Sequence, residues 1–241
     1  MKDEYKNIRK AAEILGVSIN TLRRWDETGK LKSIREKAGK HRFYRRKDLE
    51  LFKMSLFDLA MDWALDKKGY GPEDKFYCQN SSIFQGRLDH LTGDLKRIPE
   101  LSILYSLISL ITGEIGNNSF DHNLGNWPDI PGIFFGYDIN KKEIVLADRG
   151  QGIFYTLKRV KPDLKNHKEA LSVAFTDFIS GRAPEARGNG LKLVRKVIEK
   201  NPINLEFQSG DALLKLQRDG KKLNIKKGQK SIRGCIALIK F

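Results

Sequence analysis

The run LSILYSLISLI, residues 101–111, is apolar enough that any packed domain would bury it. It leads almost directly into GEIGNNSFDHN, residues 113–123, where Glu114, Asn117, Asn118, Asp121, His122 and Asn123 crowd together. Asn, Ser and Gly are mediocre to poor helix formers, so a plain solvent-facing turn is not usually built this way. A 3.6-residue period puts Glu114, Asn118 and Asp121, at i, i+4 and i+7, on one side of a helix, with His122 at its margin. A carboxylate four residues from an amide can do two jobs at one phosphate: the carboxylate orients or activates water, and the amide oxygen ligates a metal. Taken alone, polar residues at helical spacing are usually a solvated face.

Two later stretches extend the pattern. KKEIVLADRGQGI is an apolar strand ending in Asp148, followed by Gly150 and Gly152. A carboxylate at a strand end can accept a hydrogen bond from an exocyclic amine, and the glycines let backbone approach a flat ring or a phosphate. EARGNGLKLVRKVIEK places Gly188 and Gly190 at the start of an amphipathic helix, where free amides and the helix dipole attract an anion. Neither Gly-x-Gly extends to the dinucleotide fingerprint, and no GxxxxGK[ST] is present, which excludes a P-loop.

In this order the three elements resemble the N, G1 and G2 boxes of the GHKL ATPase superfamily, which includes gyrase B, heat-shock 90-type chaperones, histidine kinases and MutL. The resemblance covers residues 83–241. It implies Mg2+ and ATP as cofactors, Glu114 as the catalytic carboxylate where hydrolysis occurs, and Asn118 as the magnesium ligand. Asp121 and His122 would flank them. Asp148 would hold the adenine amino group, Gly150 and Gly152 would shape the base pocket, and Gly188 and Gly190 would contact phosphates with Leu191 beside them. Arg182 and Arg187, in a lid over 153–187, and Lys192 just beyond it would either neutralise phosphate charge or form a solvated basic face. Cys235 stands where the family usually has a Thr near the adenine.

The first fifty-five residues have a different character. IRKAAEILGVSINTLRRW reads as two short helices around a turn, with Ile8, Ala11, Ala12 and Leu15 on one face, Gly16 closing the first helix and Ser18 capping the second. Leu22 and Trp25 would face inward and Asn20, Thr21, Arg23 and Arg24 outward, the geometry of a helix-turn-helix that enters a major groove. KLKSIREKAGKHRFYRR suits a β-hairpin wing whose Lys37, Lys40, His41 and Arg42 reach the sugar-phosphate backbone. KDLELF starts a third helix. This segment resembles the DNA-binding domain of the MerR and excisionase superfamily, although KKGYGPEDK interrupts the chain where a MerR regulator continues into a long dimerisation helix.

Charge agrees with a nucleic-acid partner. Of a net +15, residues 1–55 carry 16 Lys/Arg against 8 Asp/Glu, residues 211–241 carry 9 against 2, and the middle balances at 20 against 20. Two cysteines are too few for a disulfide framework, no apolar run suits a bilayer, and MKDEYKNIRK lacks a signal-peptide core, so a cytoplasmic protein without a membrane partner is expected. His90, in LDHLTGDLKRIPE, lacks the pattern of a phosphoacceptor helix.

The expected fold is α+β: a winged helix-turn-helix over 1–55, a connecting helix and linker over 56–82, and a GHKL-type α/β sandwich over 83–241, a mixed sheet with helices on one face. The expected function is a regulator that binds double-stranded DNA and uses an ATP module, an ATPase in the GHKL manner, as a switch, with a nucleotide-dependent homodimer as one arrangement. The alternatives are a DNA-tethered histidine or anti-sigma-type serine kinase, and an ATP-gated clamp like MutL or MORC.

Overall fold

The computed structural model describes residues 4–29, 31–35, 41–177, 190–220 and 222–241. The chain divides into two compact units, Met1–Leu59 and Ala60–Phe241. The smaller contains β1 (Tyr5–Asn7), α1 (Ile8–Leu15), α2 (Ile19–Glu27), β2 (Ile34–Arg35), β3 (Arg42–Arg45) and α3 (Arg46–Lys53). Local chemistry sets its helix ends. Asn7 caps α1 by accepting from the Lys10 amide at 3.0 Å, and Gly16 closes it in the left-handed region at φ 66°. Ser18 caps α2 through the Thr21 amide at 3.1 Å. Ala11, Ala12, Leu22, Leu31, Tyr44 and Leu49 form the core, and the Trp25 and Phe52 rings meet 4.8 Å apart at its edge. β3 lies between β1 and β2, with Ile34 opposite Phe43 and Arg35 opposite Arg42.

Helix α4 (Leu56–Leu65) spans the division. The larger unit then runs β4 (Tyr77–Cys78), α5 (Ser81–Lys96), a 3-10 turn (Pro99–Leu101), α6 (Tyr105–Asn123), β5 (Ile133–Asp138), β6 (Glu143–Asp148), α7 (Gly152–Lys158), α8 (His167–Thr176), α9 (Gly190–Lys200), β7 (Asn204–Ser209), β8 (Ala212–Leu216), β9 (Asn224–Lys227) and β10 (Cys235–Lys240). Its strands form one sheet in the order β4-β5-β6-β10-β7-β8-β9. One face, with Phe135, Leu146, Phe207, Leu214 and Ile239, packs against Phe84 and Leu91 of α5, Ile108 and Ile115 of α6, Phe175 of α8 and Ile198 of α9.

Three expectations need correction. The sheet is not mixed: every strand pairing among the described residues is antiparallel. Nor is only one face covered. The alternate positions Phe134, Val145, Ala147, Ile236 and Leu238 are also apolar and buried, and Trp63 of α4 meets Phe134 with ring centroids 6.5 Å apart. Strands apolar at successive positions cannot leave one face to water.

The third correction concerns the connecting segment. The division falls between Leu59 and Ala60, and 60–82 folds into the larger unit. Trp63 is 2% exposed, Cys78 is fully buried in β4, and the Trp63 indole donates to the Tyr70 carbonyl at 2.6 Å. The Gly- and Pro-bearing stretch between them, 67–75, is a surface loop in which only Gly69 and Pro72 are half-buried, fastened at both ends to the larger unit.

Candidate functional site

Burying the apolar half of α6 under the sheet sets the rotation of its polar half. Glu114 and Asn118 come to lie against the first residue of α9. A Cβ on Gly190 would stand 2.5 Å from Glu114 Oε2 and 3.2 Å from Asn118 Nδ2, so a larger residue would displace the carboxylate. The first turn of α9, whose amides have no partner within the helix, thus begins beside that carboxylate–amide pair.

The adjacent face of α6 holds the end of β6. The Ser119 hydroxyl donates to Asp148 Oδ2 at 2.9 Å, and the Gly150 amide donates to Asp148 Oδ1 at 2.8 Å. Asn123 accepts from the Gln151 amide at 2.8 Å and donates to the Ser119 carbonyl at 2.8 Å. Its amide occupies the space a Cβ on Gly150 would need. Asp148 is 2% exposed. Burial raises its pKa to about 6, outweighing the Gly150 amide, the Ser119 hydroxyl and the Cys235 amide, which favour the charged form. Cys235 opens β10 beside it, its thiol pushed well up by burial and then by the Asp148 charge. Gly152 begins α7, where the Ile153 amide donates to Ser209 Oγ at 2.9 Å.

These contacts bring Glu114, Asn118, Asp148, Gly150, Gly152, Gly190 and Cys235 onto the elements around α6. The other expected residues are placed differently. Asp121 is exposed. His122 is half-buried, its Nδ1 without a hydrogen-bond partner among the described residues, and burial and then Arg159 push its pKa down. Leu191 packs on the core. Lys192 is 6% exposed and donates to the Asp177 carbonyl, and burial lowers its pKa. Its ammonium thus ties α9 to the end of α8. Arg182, Arg187 and Gly188 lie outside the described residues.

Arg149, between Asp148 and Gly150, was not singled out by sequence. It is 1% exposed. Its Nε and Nη2 donate to Asp129 Oδ2 at 3.1 and 2.6 Å, Nη2 also donates to the Asp66 carbonyl at 2.7 Å, and Nη1 donates to the Trp63 carbonyl. The guanidinium therefore caps the C-terminal end of α4. Arg233, in the approach to β10, donates to the same Asp129 oxygen at 2.8 Å. Burial opposes ionisation of Asp129, but the Arg149 hydrogen bonds, the Ile130 amide and the nearby Arg233 hold its pKa below the ordinary value. One carboxylate thus fastens both loops that flank Asp148. The available signal was a charged side chain set inside an otherwise apolar and glycine turn.

In the smaller unit Asn20, Arg23 and Arg24 are exposed on α2, with Arg23 Nη1 donating to Asn20 Oδ1 at 3.3 Å. Ser18 and Thr21 serve the cap, their hydroxyls 2.9 Å apart. His41 is exposed at the entry to β3. Arg42 turns inward: its Nε donates to Asp26 Oδ2 at 2.6 Å. Asp26 also accepts from the Ser33 amide at 2.8 Å and from Arg35 at 3.3 Å. Burial alone would raise the Asp26 pKa, but these donors together bring it down to about 2. The hairpin is thereby clamped to the end of α2. Lys37 and Lys40 lie outside the described residues. Among the described residues, no cluster of three or more His, Cys, Asp or Glu could hold a metal, and no helix is long and apolar enough to cross a membrane.

Residues 7–44 match the MerR family regulatory protein model, so this part of the smaller unit is a MerR-family helix-turn-helix. A type II methyltransferase, M.Eco47II of Escherichia coli, is 40% identical over 68 residues. That match takes in 28% of this chain and 16% of the relative's length.

Proposed function

We propose that the protein is a DNA-binding regulator whose larger unit binds Mg-ATP in the manner of the GHKL superfamily and uses nucleotide occupancy as a switch. The observation that carries this is a convergence. Two segments far apart in sequence meet α6: Gly190 lies against Glu114 and Asn118, and the Asp148–Gln151 turn against Ser119 and Asn123.

In this reading the buried Asp148 carboxylate accepts from the adenine amino group. Three hydrogen-bond donors, the Ser119 hydroxyl and the Gly150 and Cys235 amides, fix its orientation. The α9 amides beside Gly190 meet the phosphates. Glu114 holds or activates water at the phosphate end. Asn118 supplies a neutral oxygen to magnesium, which would screen phosphate charge when bound. A single protein ligand suits Mg2+, which keeps several waters and takes substrate phosphates as partners. The donors present therefore fit a metal brought in with the nucleotide.

Duplex DNA is the partner of the MerR-family segment, with Asn20, Arg23 and Arg24 as the exposed side chains on α2. The likeness to the methyltransferase covers too little of that protein to bring methyl transfer to this chain. Titrating Mg-ATP into the full chain by calorimetry, then following phosphate release with and without duplex DNA, tests the proposal. Saturable binding that duplex DNA shifts supports it. No binding of Mg-ATP refutes it, and binding indifferent to DNA refutes the switch. Phosphoryl label appearing on the protein itself would replace the switch with a kinase.

A further inference from the structure

No acidic residue follows Asp219: residues 220–241 contain seven Lys or Arg and no Asp or Glu. Part of this charge lies on β9, the last strand in the sheet order, and on the turns beside it. Lys222, Lys226, Lys227 and Lys230 are all exposed, and their ammonium groups have no acidic partner among the described residues. Nearby cations differ. Lys215 pairs with Glu206 at 2.7 Å, Arg218 with Asp219 at 3.7 Å and Arg233 with Asp129 at 2.8 Å.

The turn that carries Lys230 has a fixed backbone. Gln208, 5% exposed, donates from Nε2 to the Lys230 carbonyl at 2.6 Å and to the Gly210 carbonyl at 2.9 Å. The Gly228 amide donates to the Asp211 carbonyl at 2.8 Å, and the Ile232 amide to the Gly210 carbonyl at 3.2 Å. Lysine on an edge strand also discourages edge-to-edge pairing. Lys226 and Lys227 within the strand suffice for that role. It accounts neither for Lys222 and Lys230 outside the strand nor for the anchoring of the turn.

We infer that β9 and its flanking turns form a second cationic surface, which holds the phosphate backbone of the duplex addressed by the smaller unit. The inference rests on the DNA-binding reading of that unit. Among the described residues, no large apolar side chain is exposed between 216 and 241, so the patch lacks the buried aromatic or aliphatic anchors on which a protein interface depends. Asn224, Gln229 and Ser231 are the exposed neutral side chains between the lysines. Lys227 projects on the face of Ile225 and Lys226 on the opposite face, so the ammonium groups flank the outer edge of β9 on both sides, and with their polar spacers they match a polyphosphate, which needs point charges and no side-chain pockets. Covalent attachment to a helix-turn-helix brings the same duplex to this surface at high effective concentration, so individually weak contacts add to the affinity.

The test uses the full chain and a duplex of about 40 bp, roughly four helical turns. Binding is measured by fluorescence anisotropy at salt concentrations from about 50 to 200 mM. The variant carries Lys222→Gln, Lys226→Gln, Lys227→Gln and Lys230→Gln together. Its log-affinity against log-salt slope should be shallower by about two to four, since each lost phosphate contact removes about 0.9. Arg at the same four positions should restore the slope. Lys222→Gln and Lys230→Gln, both outside the strand, serve as single variants should the fourfold variant fold poorly, and each should lose about 0.9. A slope unchanged in folded variants overturns the inference, whether or not they aggregate more readily, and leaves the patch to edge protection or an acidic protein. A wild-type chain that binds no duplex overturns this inference and the DNA reading together. Arg23→Gln with Arg24→Gln separates the two surfaces: the fourfold lysine change should still lower the slope in that background.

Discussion

Asp148→Asn should remove nucleotide binding and yet make the larger unit more stable at neutral pH. The carboxyl titrates near its ordinary 3.8 in the unfolded chain and near 6 in the folded protein, because burial outweighs the three donors around it. Between those values the folded protein retains a proton that the unfolded chain has released. Its stabilising contribution is complete below about pH 4 and is lost as pH rises through about 6. A gap of about two pH units corresponds to about 3 kcal/mol. An amide at this position carries no charge to desolvate. It can still accept from the Gly150 amide and can donate to the Ser119 hydroxyl, but it loses the extra strength of hydrogen bonds to a charged acceptor, a cost of about 1 kcal/mol. The variant should therefore gain about 1–3 kcal/mol at pH 8, with the gain fading toward pH 4. Urea denaturation of the larger unit at pH 4, 6 and 8 measures this, with Mg-ATP calorimetry in parallel. A variant that is less stable at pH 8, or whose difference from wild type ignores pH, would refute the account of a desolvated carboxylate. Retained nucleotide affinity would refute its role at adenine.

Other substitutions examine neighbouring parts of the structure. Glu114→Gln should keep Mg-ATP binding and slow phosphate release by roughly 10²–10⁴-fold; unchanged turnover in a single-turnover assay would make the carboxylate structural. Asp129→Ala strands the buried Arg149 guanidinium and should cost about 3–5 kcal/mol, read as a large fall in the denaturation midpoint of the larger unit; a loss below about 1 kcal/mol would show that backbone carbonyls alone satisfy that cation. Asp26, with its pKa brought down to about 2, stabilises the smaller unit above the ordinary value of 3.8, and this is lost as pH falls through about 2. Asp26→Asn should therefore lower the melting temperature of that unit at pH 7 and have little effect near pH 2; equal effects at both would remove the Arg42 clamp as the cause.

What the sequence revealed was chiefly local. Asn7, Gly16 and Ser18 act within a few residues of themselves, so the ends of α1 and α2 follow from the order of residues. The period of α6 likewise brought Glu114 and Asn118 to one side. That period does not state which neighbour each face meets. Ser119 and Asn123, four residues apart on the next face, hold the Asp148 turn, although the register was drawn from Glu114.

Longer-range pairings were hidden. Nothing near Lys192 in sequence signals that its ammonium reaches the Asp177 carbonyl, fifteen residues away. The same holds for Arg42, whose basic setting suggested a phosphate while Asp26, sixteen residues back, receives it. Gly and Pro in 66–75 suggested free chain because composition registers backbone freedom and is blind to the contacts that fasten an exposed loop at its ends. Trp63 and Tyr70 decide the matter there.

The grip of Arg149 on the end of α4 bears on how the two units come apart. Lys67 and Lys68 are exposed just beyond that helix and offer trypsin an obvious place to cut. Cleavage there breaks one covalent bond and leaves the guanidinium on the Trp63 and Asp66 carbonyls, both upstream of the cut. The nicked protein therefore travels as a single particle on a sizing column and separates only under denaturant. A gene fragment beginning at residue 75 has the opposite defect: it lacks those two carbonyls and the indole near Phe134, so expressing the larger unit intact requires a start no later than Ala60.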